Sequence, residues 1–298
     1  MSFAKLKKNR EDALAQLQKA VSNENQSGPG DDYWKPTKDE AGNGYAVIRF
    51  LPAADGDDAP FISYHDHWFQ GPTGLYYIEK SRTTLGEPDP VSEYNSVLWN
   101  SEQKDAARKQ KRRLHYVANI YVIKDSNKPE NEGKVFKYRF GKKIFDKIKD
   151  AMNPEFEDEE PINPFDFWDG ANFTVKVQTV PDSNGNKWPN YDKSKFEDPS
   201  PLFDGDEEKL KAVYEQLDPL SKLISPETFK SYDELKRELE KVLRISLDGE
   251  KEALKSVSRP IHDENEYEPK APRKIVETND EDDDEDPVSY FQRIADEE

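Results

Sequence analysis

Cysteine is absent from this 298-residue sequence, so neither a disulfide nor a thiolate metal site can form. The chain also lacks any run of 18 apolar residues, and its first 17 residues contain no apolar segment of signal-peptide length. We therefore expect a soluble, intracellular protein with no membrane partner. Hydrophobic residues make up only 34% of the chain, which predicts that part of its length is tail or linker rather than core.

Motifs of the common enzyme classes are missing as well. The sequence has no GxxxxGK[ST], GxGxxG, HExxH or GxSxG pattern. His65 and His67, in the stretch HDH, could form a metal pair on one face of a strand, but local hydrogen bonding is the favoured interpretation. Acidic residues are too numerous to single out a catalytic pair, so we predict no catalytic residue and no cofactor.

Charge, in contrast, is plentiful and unevenly distributed. The whole chain carries a formal net charge of −18. Residues 104–149 nevertheless hold fifteen basic and five acidic residues, and residues 1–21 hold five basic and two acidic. Residues 277–298 contain eleven acids and one arginine. This acidic end is either a solubility tail or a tethered polyanion that competes with an anionic ligand for the basic centre.

The hydrophobic pattern predicts an α+β protein. Short aromatic and β-branched segments bounded by Gly or Pro indicate strands at residues 44–52, 60–69, 75–79, 114–125 and 171–180. Helical spacing indicates helices at residues 4–21, after Gly141, and at about 206–224 and 226–247. Without regular βαβ alternation, these strands favour a small barrel or a curved antiparallel sheet.

The stretch KVFKYRFGKKIFDKI, residues 134–148, combines six basic residues with four aromatic rings. Proteins that bind single strands without sequence preference combine a cationic groove with exposed rings, because phosphate and base face are present at every nucleotide. Phe136, Phe140 and Phe145 favour a place in the core. Tyr116 and Tyr138 fit either the core or base stacking, and both interpretations stay open.

Four stretches, AGNGYAVIRFLP, PENEGKVFKYRFGKKIFDKI, WDGANFTVKV and FKSYDEL, resemble the single-stranded DNA-binding, helix-destabilising proteins of T-even-like tailed phages. The resemblance implies an OB-fold-like β-barrel core with a loop-rich subdomain and flanking helices. It divides the chain into a basic N-terminal arm (1–21), a linker (22–32), a core (33–250, with the subdomain at about 60–100) and a disordered acidic tail (251–298). The arm would provide cooperativity through Lys7, Lys8 and Arg10, although Asn9 and Glu11 interrupt that motif.

The resemblance and the charge pattern together give a set of residues predicted to contact DNA. A second basic motif matches Lys111, Arg112 and Arg113, and further cations follow in the 134–148 stretch. The aromatic members occupy positions that face DNA in the family. The predicted set is Lys111, Arg112, Arg113, Tyr116, Lys137, Tyr138, Arg139, Lys142, Lys143, Trp188, Tyr191 and Trp99.

The resemblance also implies a structural zinc, which this sequence does not support. The family's ligands are one His and three Cys, and the matching positions here are His67, Ser81, Asp89 and Ser92. Structural zinc sites need thiolates or imidazoles, and serine is a poor ligand. We therefore predict that no metal is bound and that ring packing stabilises the subdomain instead.

These observations predict a cooperative, sequence-independent single-stranded DNA-binding protein that is not an enzyme. It would act in phage DNA replication, recombination and repair, in the cytoplasm of the infected bacterium. Its partners would be further copies along DNA and, through the tail, a polymerase, a helicase loader and a recombinase mediator. The alternative is a protein-interaction hub in which the acidic tail acts and no DNA is bound; a nuclease ranks third.

Overall fold

The structure, a computed structural model, describes residues 33–247 except 102, 157–158 and 182–186. The predicted arm, linker and acidic tail lie outside the described residues. The strands are β1 (Tyr33–Trp34), β2 (Asn43–Phe50), β3 (Phe61–Gln70), β4 (Tyr76–Lys80), β5 (Arg113–Asp125), β6 (Val135–Phe140), β7 (Ala171–Pro181), β8 (Lys187–Asn190) and β9 (Lys195–Pro199). The α-helices are α1 (Pro90–Asn100), α2 (Lys104–Lys109), α3 (Lys142–Met152), α4 (Glu207–Tyr214) and α5 (Tyr232–Leu243).

The described strands form one nine-stranded sheet organised around the long strand β5. One edge of β5 pairs with β6, while the other pairs first with β3 and then with β2. Strand β2 continues to β7, whose far edge holds β9 and β8, and β1 adds in parallel to β6. Because this pairing path is open among the described strands, the prediction of a closed barrel is wrong, and the alternative of a largely antiparallel sheet is confirmed.

Strand alternation builds the main core on one face of this sheet. Ile48, Phe50, Ile120 and Phe173 point to that face and are fully buried. Helix α3 covers them with Ile144 and Ile148 at helical spacing. The predicted helix after Gly141 is thus confirmed, and it fixes the direction in which the chain leaves β6.

The predicted helices near the C-terminal end are shorter than expected. The segment 206–224 contains only α4 and a separate 3-10 turn, Leu220–Ile224, because Pro219 precedes that turn and cannot continue a helix. The helix predicted at about 226–247 begins later than expected, because Ser225 leads only into another 3-10 turn, Pro226–Thr228. Helix α5 instead begins after Ser231, which forms a reciprocal capping box with Glu234.

The predicted loop-rich subdomain at about residues 60–100 contains more regular structure than expected. The hairpin of β3 and β4 and helix α1 share a second core with α5, which arrives from the far end of the chain. Phe69 and Tyr77 stack at 5.2 Å between ring centroids and pack with Leu235 and Leu239. Helices α1 and α2 then lead into β5, so this subdomain lies beside the start of that strand.

Candidate nucleic-acid interface

Five predicted cations meet at one end of the sheet. Lys111, Arg112 and Arg113 enter β5, and Tyr116 of β5 pairs with Phe140, the last residue of β6. Since the two strands are antiparallel, Lys142 and Lys143 leave the sheet where the basic run enters it. Lys111, Lys142 and Lys143 are exposed, and Arg112 and Arg113 are half-buried. We call these five residues the basic end.

Lys142 and Lys143 also occupy an unusual place in their helix. They form the first turn of α3, which has no acidic residue there and no side-chain cap. Cations at a helix N-terminus oppose the helix dipole, whereas unsatisfied N–H groups there attract anions. The two lysines therefore serve stability poorly, and a phosphate placed at this position would relieve the repulsion.

Two tryptophan rings near the basic end, Trp68 and Trp99, are in contact with cationic side chains. The guanidinium of Arg113 lies 4.9 Å from the centroid of the Trp68 ring. Trp99, whose side chain is 45% exposed, has Lys104 Nζ at 5.5 Å and Arg108 Cζ at 5.8 Å from its ring centroid. Both distances fall within the range of cation–π attraction.

Sequence reasoning included Trp99 but missed Trp68, Lys104 and Arg108. The signal was present in part, because Lys104 and Arg108 are four residues apart and lie on one face of α2. The pairing of Trp68 with Arg113 joins residues 45 positions apart in the chain, which no local pattern reveals.

The segment that carries Trp188 and Tyr191 contacts α3, the helix that begins at the basic end. Lys147 Nζ donates a hydrogen bond of 3.1 Å to the carbonyl oxygen of Asp192, the residue after Tyr191. Lys147 is about 7.5 Å along the helix axis from Lys142, given the rise per residue of an α-helix. Trp188 itself lies in the short strand β8, not in a loop as predicted, and is half-buried opposite Val180.

Tyr116 and Tyr138 belong to the core in this structure. The Tyr116 ring stacks on Phe145, with centroids 3.8 Å apart and planes 9° from parallel. Burial raises the pKa of its hydroxyl. Tyr138 is 3% exposed and meets the edge of Trp34 at 5.0 Å. Of the two interpretations left open by the sequence, the core position is the observed one, and neither ring face is open to a base here.

Lys137 and Arg139 lie on the other face of β6 from Tyr138. Lys137 is 8% exposed, and its Nζ donates to Asp218 Oδ2 at 2.7 Å. Arg139 faces the hydroxyl of Tyr64, whose pKa is raised by burial and partly lowered again by this arginine. Lys137 and Arg139 therefore do not share a surface with the Tyr138 ring, because neighbouring residues of a strand point to opposite faces.

Comparison with known proteins agrees with this geometry. A family model described as gp32 DNA binding protein like matches residues 42–243. The chain belongs to this gp32-like family. The single-stranded DNA-binding protein of Enterobacteria phage T4 is 40% identical over 249 residues, or 82% of this chain and 80% of that protein. The protein of the same name from Enterobacteria phage T2 is 42% identical over 222 residues, 72% of this chain and 71% of that protein.

Within this gp32-like chain, the positions that match the family's zinc ligands form a hydrogen-bonded network. His67 and Asp89 are each 1% exposed. One ring nitrogen of His67 lies 3.1 Å from the carbonyl oxygen of Gln110, and the other lies 3.1 Å from Asp89 Oδ1. Both partners are protein oxygen atoms, and the tautomer of the imidazole sets which of the two ring nitrogens donates.

Asp89, which belongs to the same network, is also the N-terminal cap of α1. It accepts hydrogen bonds from the backbone N–H groups of Val91 and Ser92 at 3.1 and 3.0 Å, and from that of Arg82 at 3.1 Å. Burial alone would raise its pKa, but the contact with His67 and these backbone donors lower the pKa to about 2.

The other two positions that match the zinc ligands are Ser81 and Ser92, and they do not suit a metal either. The Ser81 hydroxyl lies 3.0 Å from that of Thr83, and the buried Ser92 hydroxyl meets no partner among the described residues. Across the part of the chain that the structure describes, no group of three or more His, Cys, Asp or Glu residues could hold a metal. The residues present do not fit a structural zinc.

Proposed function

We propose that this chain binds single-stranded DNA without sequence preference and performs no catalysis. The observation that carries the proposal is the basic end beside the cation-bearing rings of Trp68 and Trp99. Its cations would neutralise phosphates and release counterions, and the exposed ring of Trp99 would stack on bases of any identity, while the buried ring of Trp68 holds Arg113 in place. Family membership supports the same function, because the T4 and T2 relatives are named single-stranded DNA-binding proteins.

The consequence for duplex DNA is thermodynamic. A protein that prefers single strands shifts the melting equilibrium of hairpins and duplex ends towards the open form by its differential affinity. Action in phage replication, recombination and repair, within the infected cell, follows from the family and is part of the proposal. None of the described helices is long and apolar enough to cross a bilayer.

Cooperativity and partner recruitment would reside outside the described residues. Residues 1–21, with Lys7, Lys8 and Arg10, would bind a neighbouring copy on the DNA. Residues 251–298 would recruit replication and recombination proteins and, as a tethered polyanion, compete with DNA for the basic end. The charges of the two segments support this division, being basic at the arm and strongly acidic at the tail.

Replacing Lys142 and Lys143 with alanine tests the role of the basic end. Each phosphate contact contributes about 0.7 to the slope of log affinity against log salt for single strands. The double variant should therefore bind poly(dT) more weakly, with a slope smaller by about 1.4. The measurement is a titration followed by intrinsic tryptophan fluorescence at several salt concentrations.

The matched control is Lys209→Ala with Lys211→Ala, which removes two exposed lysines of α4 far along the chain. It should leave affinity and slope unchanged. If the two double variants lowered the affinity and the salt slope equally, the result would contradict a binding site localised at the basic end. Absence of any fluorescence change or binding with wild-type protein would favour the interaction-hub alternative.

A further inference from the structure

A second cationic and aromatic surface lies away from the basic end, on the face of the β2–β7 pair that points away from the main core. It surrounds a pocket of about 200 Å³ lined by Asn43, Gly44, Tyr45, Lys176, Val177, Gln178 and Lys193. Tyr45 is 37% exposed, although it lies in the middle of a sheet whose other aromatic residues are mostly buried. We call this site the Tyr45 pocket.

Three lysines approach the exposed ring. Lys176 is the direct partner of Tyr45 across the β2–β7 ladder, and paired residues share a face. Lys124, from the neighbouring strand β5, places its Nζ 5.5 Å from the centroid of the Tyr45 ring. Lys193 lines the pocket from the turn after β8 and is exposed.

The turn that carries Lys193 is fixed on β7. The backbone N–H of Ser194 donates to the carbonyl of Tyr191 at 2.9 Å, which closes the turn. The buried Ser194 hydroxyl accepts from the N–H of Lys176 at 2.9 Å and donates to the carbonyl of that residue at 3.2 Å. Lys193 and Lys176 are therefore held as neighbours by hydrogen bonds, not by mutual attraction, and their repulsion creates a site for an anion.

The nearby carboxylates Asp39 and Asp192 form no direct ion pair with these lysines among the described residues. Asp39 Oδ1 accepts the backbone N–H of Asn43 at 2.8 Å. Asp192 Oδ2 accepts the side-chain N–H of Asn190 at 2.7 Å. Both carboxylates have partners of their own, and neither has an ion pair with Lys124, Lys176 or Lys193 within the part of the chain that the structure describes.

The Tyr45 pocket continues into the surface that carries Trp188. Gln178 pairs with Asn43 on one side and with Asn190 on the other, and Val180 pairs with Trp188. Positions 176, 178 and 180 share one face of β7, so Val180, the partner of Trp188, lies about 7 Å along the strand from Gln178 at the edge of the pocket. The amides between the pocket and Trp188 can hydrogen-bond base edges, as amide side chains do in nucleic-acid complexes.

The turn after β8 also joins the Tyr45 pocket to the basic end. Its carbonyl at Asp192 receives the hydrogen bond from Lys147 of α3, the helix that begins with Lys142 and Lys143. The turn thus connects α3, on the core face of the sheet, with Lys193 and Lys176, which line the pocket on the other face.

We propose that the Tyr45 pocket is an additional subsite for a nucleotide of the same single DNA strand. A base stacks on the Tyr45 ring, and the flanking phosphates bind Lys124, Lys176 and Lys193. This inference rests on the proposed function, since it extends the path of the strand from the basic end past the turn after β8. It assigns a binding role to residues that the sequence pattern did not single out.

The test substitutes Tyr45 in the full-length protein. Loss of one stacked base corresponds to an affinity lower by about 5-fold to about 150-fold, so Tyr45→Ala should weaken binding of long oligo(dT) by a factor in that range. The shortest oligonucleotides that bind should be unaffected, because they do not reach both sites. Tyr45→Phe keeps the ring and should bind like wild type.

Tyr214→Ala is the matched control, because Tyr214 is 40% exposed and lies on α4, which contributes no residue to the Tyr45 pocket or the basic end. The subsite is refuted if Tyr45→Ala binds long oligo(dT) as tightly as Tyr214→Ala does. A loss with Tyr45→Phe as large as with Tyr45→Ala would equally refute stacking. Failure of the proposed function is distinct, since wild-type protein would then bind no oligo(dT) of any length.

A second readout leaves the protein unchanged. Photocrosslinking with oligo(dT) that carries 5-iodouracil should give an adduct on Tyr45, identified by mass spectrometry. Adducts on other aromatic residues, with none on Tyr45 at saturating DNA, would overturn the proposal.

Discussion

Replacing Asp89 with alanine should destabilise the protein severely, because its buried carboxylate is the acceptor for several backbone N–H groups. The carboxylate accepts hydrogen bonds from His67 and from three backbone N–H groups, all in a buried place. Its loss leaves those backbone donors buried without an acceptor, and each buried donor left unsatisfied costs about 1–3 kcal/mol, so the three together amount to several kcal/mol. That is a large share of the roughly 5–15 kcal/mol by which a domain is stable.

Urea unfolding followed by tryptophan fluorescence measures this loss. With a slope near 3 kcal/mol per molar, the midpoint should fall by about 1–2 M. The control is Asp206→Ala, since Asp206 caps α4 in the same way but is exposed and has no histidine partner. It should show only the smaller effect of losing a helix cap.

The same experiment tests the absence of zinc. A chelator should leave the wild-type midpoint unchanged, and metal analysis of the purified protein should find no stoichiometric zinc. One zinc per chain, or a chelator effect as large as that of Asp89→Ala, would refute the hydrogen-bonded replacement. A midpoint shift no larger than that of Asp206→Ala would show that the His67–Asp89 contact contributes little.

The two terminal segments give further predictions. Deleting residues 277–298 should strengthen DNA binding at low salt, because it removes most of the tethered acid that competes for the basic end; unchanged affinity in a low-salt titration would count against competition. Deleting residues 1–21 should abolish clustering on long DNA yet spare binding to short oligonucleotides. Electron microscopy and anisotropy measure these two properties, and equal loss of both would reject the cooperative arm.

Local patterns in the sequence predicted several of the strands and helices. Alternation of Phe136, Tyr138 and Phe140 with cations predicted β6, and helical spacing of Ile144 and Ile148 predicted α3; both were confirmed. These signals are reliable because side-chain direction in a strand or helix depends only on neighbouring residues. The extent of α4 was overestimated because a 3-10 turn and a helix share much of the same apolar spacing.

Contacts between distant residues could not be predicted in this way. Lys137 was expected to contact DNA, but Asp218, 81 positions later, binds it. The cation–ring contact of Lys124 with Tyr45 likewise depends on the pairing of β2 with β5, and β-sheet register between distant segments is not encoded locally. Sequence reasoning therefore found the basic end and overlooked the Tyr45 pocket.

The stretch of residues 134–148 shows why a mixture of cations and rings must be interpreted through geometry. In a strand, a ring and the cation next to it in sequence point to opposite faces, so alternation separates the two kinds of side chain. Tyr138 accordingly enters the core and Lys137 the other face. Cations and rings share a surface only where strands end or where neighbouring strands bring them together. Lys142 and Lys143 meet the first condition, and Tyr45 with Lys176 and Lys124 meets the second. A single strand that needs both charge and stacking would therefore bind at such places rather than along the face of β6.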